Sequence, residues 1–186
     1  MPMSSHEAAA ALSDIAHTQH RAAILRGYEQ GAPHFILWGL IWVVGYSLTD
    51  ARPAMAGLAW LVLDGLGISG SFLLGRAAAA NVPSANPHYG RRFATLCITM
   101  FAFIVATYFI MQPNSAAQFG AFPALLMAAI YTVIGTWRGA RWAVCGIVLG
   151  VCTVVGFALF KSHFMLWMAA AGGAVLLLTG LWLRRA

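Results

Sequence analysis

The sequence predicts an all-α membrane protein: a six-transmembrane-helix bundle with a cytoplasmic amphipathic helix at its N-terminus. Three observations carry this. Hydrophobic residues make up 61% of the 186-residue chain and charged residues only 9%, where a soluble domain carries about 25% charged residues. Six apolar stretches each approach the roughly 20 residues of helix that cross a hydrocarbon core about 30 Å thick. No Asp or Glu occurs anywhere after Asp64. Two parts follow: an N-terminal arm over 1–33 and a membrane domain over 34–186.

The arm comes first. Ser4 followed by Glu7 has the spacing of a capping box, ahead of an apolar run. Ala8, Ala11, Leu12, Ile15, Ala22 and Leu25 recur at helical spacing, with Glu7, Asp14, His17, His20 and Arg21 on the other face. Gly31 and Pro33 supply an expected stop. The apolar stripe is mostly alanine, thin for interfacial insertion, so the arm is expected to pack on the bundle rim or on a second copy. With no basic head and apolar core, it does not read as a secretory signal.

The spans follow at 34–49, 53–76, 92–112, 118–137, 141–160 and 163–183. Basic residues orient them, because Lys and Arg in short loops stay on the cytoplasmic side. Arg21, Arg26, Arg76, Arg91, Arg92, Arg138, Arg141, Arg184 and Arg185 fall on one side; Arg52 and Lys161 fall on the other. Both termini are therefore expected in the cytoplasm, and the short loops suggest a bacterial inner membrane. Trp137, Trp142 and Trp182 are expected at the arginine-bearing boundary and Trp167 near the opposite one. Trp42 and Trp60 lie deeper and read as bundle packing. Cys97, Cys145 and Cys152 all fall inside spans, as small apolar residues do, without the spacing of a disulfide framework or zinc site.

Asp64 is the sharpest functional clue. It falls near the middle of the second span, where a charged side chain costs roughly 3 kcal/mol or more. No Lys or Arg lies at its depth. Thr153 and Cys152 on the fifth span, and Ser69 on its own helix, are its candidate partners, making an intramembrane polar site of Asp64, Ser69, Cys152 and Thr153. Gly65, Gly67 and Gly70 surround Asp64; Gly146, Gly150 and Gly156 flank Cys152 and Thr153. Paired glycine-interrupted spans point to a transporter site, while glycine also lets membrane helices approach closely. A second candidate site is the arginine rim: Arg76, Arg91, Arg92, Arg138, Arg141, Arg184 and Arg185. Anionic lipid headgroups are its expected partner, each basic residue contributing about 1 kcal/mol.

Other chemistries are excluded on spacing. Gly67-Ile68-Ser69-Gly70 matches the four-residue Gly-x-Ser-Gly string of rhomboid intramembrane proteases. The histidine that those enzymes need beside the serine has no counterpart here, since His163 lies at the opposite boundary. Gly65-x-Gly67-x-x-Gly70 sits in a membrane helix with no preceding strand, so it is no dinucleotide fingerprint. His163 with Met111, Met165 and Met168 is too ordinary a set of packing residues to require copper, and His34 and His163 lie at opposite boundaries, unsuited to a shared haem. No catalytic residue, metal ligand or cofactor is expected, nor a nucleic-acid partner. The expected role is accessory, regulatory or assembly work beside membrane partners or a second copy. The alternative is a small proton-linked transporter or solute-binding subunit centred on Asp64.

Overall fold

A computed structural model describes residues 5–80 and 89–185. Its helices are α1 (Ser5–Ala51), α2 (Ala56–Ala80), α3 (Tyr89–Met111), α4 (Ala116–Arg138), α5 (Ala140–Leu159), α6 (Phe164–Trp167) and α7 (Gly173–Leu183). A π-helical turn, Met168–Gly172, joins α6 to α7, so the two form one sixth span. Six helical segments are long and apolar enough to cross a membrane. Ser4, and with it the expected capping box, lies outside the described residues, as does the connection 81–88.

The expected stop at Gly31 and Pro33 does not occur. α1 runs unbroken for 47 residues with Pro33 inside it, a rod about 70 Å long. The reason is tertiary. A side chain at Gly31 would meet the Trp142 ring at 2.3 Å, so this glycine is where α5 touches α1 rather than where α1 ends. Tyr28, Ala32 and Phe35, on the same stretch, are buried. An interior proline removes one backbone hydrogen bond and costs ~3 kcal/mol in water. Neighbouring helices relieve much of that inside a bundle.

α1 is the hub; α2, α4, α6, α7 and the π turn all pack on it. Against α7 the fit is an interleaving of small and branched residues. A Cβ at Gly39 would press on Leu177, one at Gly173 on Val43, and one at Gly180 on Ile36 and the Ala32 carbonyl. Small residues let membrane helices approach until dispersion contacts dominate. α4 and α5 form the other tight pair. A Cβ at Gly135 would lie within 2.7 Å of Ala143, and one at Gly146 within 2.5 Å of the Ala128 carbonyl oxygen and the Thr132 nitrogen. The turn between them is Gly139, at φ 103°, in the region that favours glycine, with the Tyr28 hydroxyl against it.

α2 and α3 are peripheral. α2 packs on α1 alone to any extent, through Gly67 against Trp38 and Ile41 and Gly70 against Leu37. Trp38 Nε1 donates to the Ser71 hydroxyl at 3.1 Å. α3 has no buried residue over Arg91–Met111. It touches its neighbours through rings: Phe93 on Phe72 of α2, and Phe103 and Tyr108 on Phe122 of α4.

Candidate functional site

Asp64 lies half-buried on α2, on the side that also carries Trp60, Gly67 and Ser71. Among the described residues it makes no hydrogen bond and no ion pair. Its expected partners are elsewhere. Thr153 is fully buried on α5, and its hydroxyl donates to the Leu149 carbonyl one turn back at 2.8 Å. The Cys152 carbonyl accepts from Trp167 Nε1 at 2.8 Å. Ser69 is exposed. α5 packs on α4 and the sixth span, whereas α2 packs on α1, so no hydrogen bond gathers Asp64, Ser69, Cys152 and Thr153 into one group. Neither α2 nor α5 is interrupted at its glycines; Gly67, Gly70, Gly146 and Gly156 are points of close approach.

One turn from Asp64 on α2, the Trp60 ring packs against Tyr46 of α1. Tyr46 of α1 is buried. Tyr46 donates to the Gly120 carbonyl at 2.8 Å and Tyr108 of α3 donates to the carbonyl of Phe119. Pro123 explains the second bond. It has no N–H, so the carbonyl four residues back, that of Phe119, loses its helical partner. In a membrane an orphaned carbonyl must find a donor within the protein, and Tyr108 supplies it. Trp60 stacks edge-on against Tyr46, ring centroids 5.1 Å apart. Its Nε1 donates to Thr49 Oγ1 at 2.9 Å, and Thr49 donates to the Gly45 carbonyl at 2.8 Å. Trp60, Tyr46 and Tyr108 thus link α1, α2, α3 and α4. Tyr46 and Tyr108 were not singled out by sequence; Pro123 inside a span was the available signal, since it marks a carbonyl needing a tyrosine or similar donor.

At the arginine-bearing end, the seven rim residues divide by role. Arg141 is structural. Its guanidinium lies over the rings of Tyr28 and Trp182, 5.2 and 5.0 Å from their centroids, and donates to the Trp182 carbonyl at 2.7 Å. It thereby ties α1, α5 and α7 together. Arg138 rests over Trp142 and Arg76 over Phe72. Arg91, Arg92, Arg184 and Arg185 are exposed. No ion pair involves any of the seven among the described residues. Trp142, expected at a lipid boundary, is instead 9% exposed. It is wedged against Phe35, Tyr131 and Gly31, and its indole N–H has no hydrogen-bond partner among the described residues.

The arm does not fold back onto the rim. Every residue from 11 to 20 is exposed, including Leu12 at 67% and Ile15 at 53%. Packing on the bundle begins with Ile24, Gly27 and Tyr28, which meet the α4–α5 turn at Arg138 and Gly139. One groove of about 480 Å³ lies between α4 and α5, lined by Leu125, Ala128, Thr132, Gly146, Gly150 and neighbouring valines, and does not include Asp64.

No protein-family model, characterised protein or solved structure matches this chain.

Proposed function

We propose that this chain is a non-enzymatic component of a bacterial inner membrane, with both termini in the cytoplasm, that works by holding another polypeptide: an accessory, regulatory or assembly protein. The observation that carries this reading is the projecting half of α1. A hydrocarbon core about 30 Å thick accommodates about 20 of its 47 residues. The remainder extends beyond the arginine end with Leu12 and Ile15 uncovered. An isolated helix of this length is marginal in water unless its apolar face is packed, so an exposed stripe on a continuous rod is a face awaiting a partner or a second copy. The arginine rim is assigned to anionic headgroups, which would fix the depth of the bundle and hold the rod upright.

The test is a truncation placed by the structure. Removing residues 1–20 spares Ile24, Gly27 and Tyr28, which pack on the bundle. The truncated protein should melt at the same temperature as the full chain in detergent, and should lose self-association or co-purifying membrane partners. An unchanged oligomeric state together with an unchanged partner set would refute the reading. A second reading, solute binding or proton-linked transport at Asp64, is favoured by one observation, the carboxyl without a partner, and is tested separately by flux measurements below.

A further inference from the structure

α1 carries one uncovered apolar line from the arm into its membrane half. At about 100° per residue, Leu12, Ile15 and Ala22 of the arm and Leu40, Val44 and Leu48 of the membrane half fall within one sector of about 80°. All but Ala22, which is half-buried, are exposed. Tyr28, Gly31, Phe35 and Trp42, which pack into the bundle, lie on the opposite side of the helix. α2 holds α1 on one flank of the line, through Leu37, Trp38 and Ile41, and the sixth span holds it on the other, through Ile36, Gly39 and Val43. Neither covers the line itself. Lipid chains can cover Leu40, Val44 and Leu48. They do not reach Leu12, about 33 Å of helix before the expected start of the first span at His34. An occupant that serves both halves is itself a helix that leaves the bilayer without a break and carries apolar residues on one line inside and outside it. A second α1 has these properties.

Charge points to the same occupant. Between its arm and membrane halves the line is interrupted by Arg26, inside the sector, with Glu29 one turn on at its edge. Both are exposed, and neither makes an ion pair among the described residues. Two α1 helices packed in parallel and in register along this line set each Arg26 beside Glu29 of the other, about 4.5 Å apart along the axis. We propose that the line is the interface of a parallel two-fold dimer of this chain, α1 against α1. The proposal rests on the reading of the chain as an assembly component and names its partner, a second copy. A two-fold contact is self-complementary and closes at two copies. Copies inserted in one membrane with the same orientation present their rods in parallel, as this pairing needs. Apolar contact supplies the association, while exposed pairs such as Arg26 with Glu29 add little affinity and set the register.

The experiment uses the full chain in phosphatidylcholine vesicles, labelled at its C-terminus with donor or acceptor, and follows energy transfer as lipid dilutes the protein. The arm substitutions fall on exposed residues that leave the bundle untouched. Ile15→Asp should weaken association about tenfold, and His17→Asp, on the opposite side of the helix, should leave it unchanged. Arg26→Glu and Glu29→Arg should each weaken it about tenfold, because two pairs turn from attraction to repulsion. Mixing donor-labelled Arg26→Glu chains with acceptor-labelled Glu29→Arg chains should restore it, since every acid on the line then meets a base. For the membrane half, Val44→Cys should give a disulfide-linked dimer on oxidation, above the background of the native cysteines, and Phe109→Cys, open to lipid on α3, should not. A chain that stays monomeric at every dilution would overturn the proposal. So would undiminished association of Ile15→Asp, equal damage from His17→Asp, a mixture no stronger than its components, or Val44→Cys linked no better than Phe109→Cys. A monomeric chain that loses a co-purifying membrane partner on removal of residues 1–20 would sink the dimer and leave the assembly reading standing.

Discussion

Two glycines on separate spans should respond to the same substitution with opposite sign. Gly146 faces α4 so closely that a Cβ would lie 2.4 Å from Thr132 Oγ1 and 2.5 Å from both the Ala128 carbonyl oxygen and the Thr132 nitrogen. Ordinary contact begins at 3.4 Å, so α4 and α5 would have to part by about 0.9 Å, and backbone atoms cannot rotate away as a side-chain end can. Overpacking of this kind costs typically about 1–3 kcal/mol. The same displacement would loosen the Gly135–Ala143 contact further along the pair, so Gly146→Ala is expected near the upper end of that range. Gly65 has nothing within 4 Å of a built Cβ. Gly65→Ala in a continuous helix should instead stabilise by up to about 1 kcal/mol, through lower backbone entropy in the unfolded chain. Unfolding of each purified variant by titration with a denaturing detergent, followed by circular dichroism, measures both. If Gly146→Ala matched the wild type, or Gly65→Ala were as damaging as Gly146→Ala, the account of glycine as a close-approach residue in α4–α5 would be wrong.

The remaining predictions address the site and the topology. Tyr108→Phe should increase hydrogen exchange at the α3 end of the bundle and lower stability by about 1 kcal/mol, the scale of one interhelical hydrogen bond in lipid; Pro123→Ala, which restores an N–H for the Phe119 carbonyl, should shrink that effect, and strict additivity of the two would contradict the assignment. Asp64→Asn should leave the fold intact, and if it also leaves every pH-dependent flux or solute affinity unchanged, the transport reading falls. Single cysteines at Asn114 and Ser84 test orientation: an impermeant reagent added outside should label Asn114 only, and the reverse pattern would invert the bundle. Gly139→Ala should be more disruptive than either glycine above is expected to be on strain alone, because its φ of 103° and the Tyr28 hydroxyl both exclude a side chain; the same detergent titration reads it.

Within the chain, what was legible and what was not divide along a physical line. The bilayer imposes length and polarity on each span independently of its neighbours, so six helices, the isolation of Asp64 from any Lys or Arg, and the placing of Trp42 and Trp60 in the bundle followed from residues alone. Trp42 is indeed buried, and Trp60 packs on Gly45 and Tyr46. Local signals failed where a neighbouring helix outweighed them. Gly31 and Pro33 have the composition of a helix end, yet the Trp142 ring occupies the space beside Gly31 and α1 continues. Trp142 has the sequence position of a boundary residue, yet it is buried against α1. Depth and glycine pattern in the sequence point from Asp64 to Cys152 and Thr153 on α5. Depth constrains only one coordinate, and the lateral order of helices, α2 on α1 and α5 on α4, is set by how small residues and rings interlock across the bundle. The sequence by itself determined how many helices are long and apolar enough to cross a membrane and which acidic group falls inside one of them. Only the tertiary structure decided that Tyr108 of α3 donates to the Phe119 carbonyl and Tyr46 of α1 to the Gly120 carbonyl, because which helix stands beside the carbonyl freed by Pro123 is set by packing across the bundle.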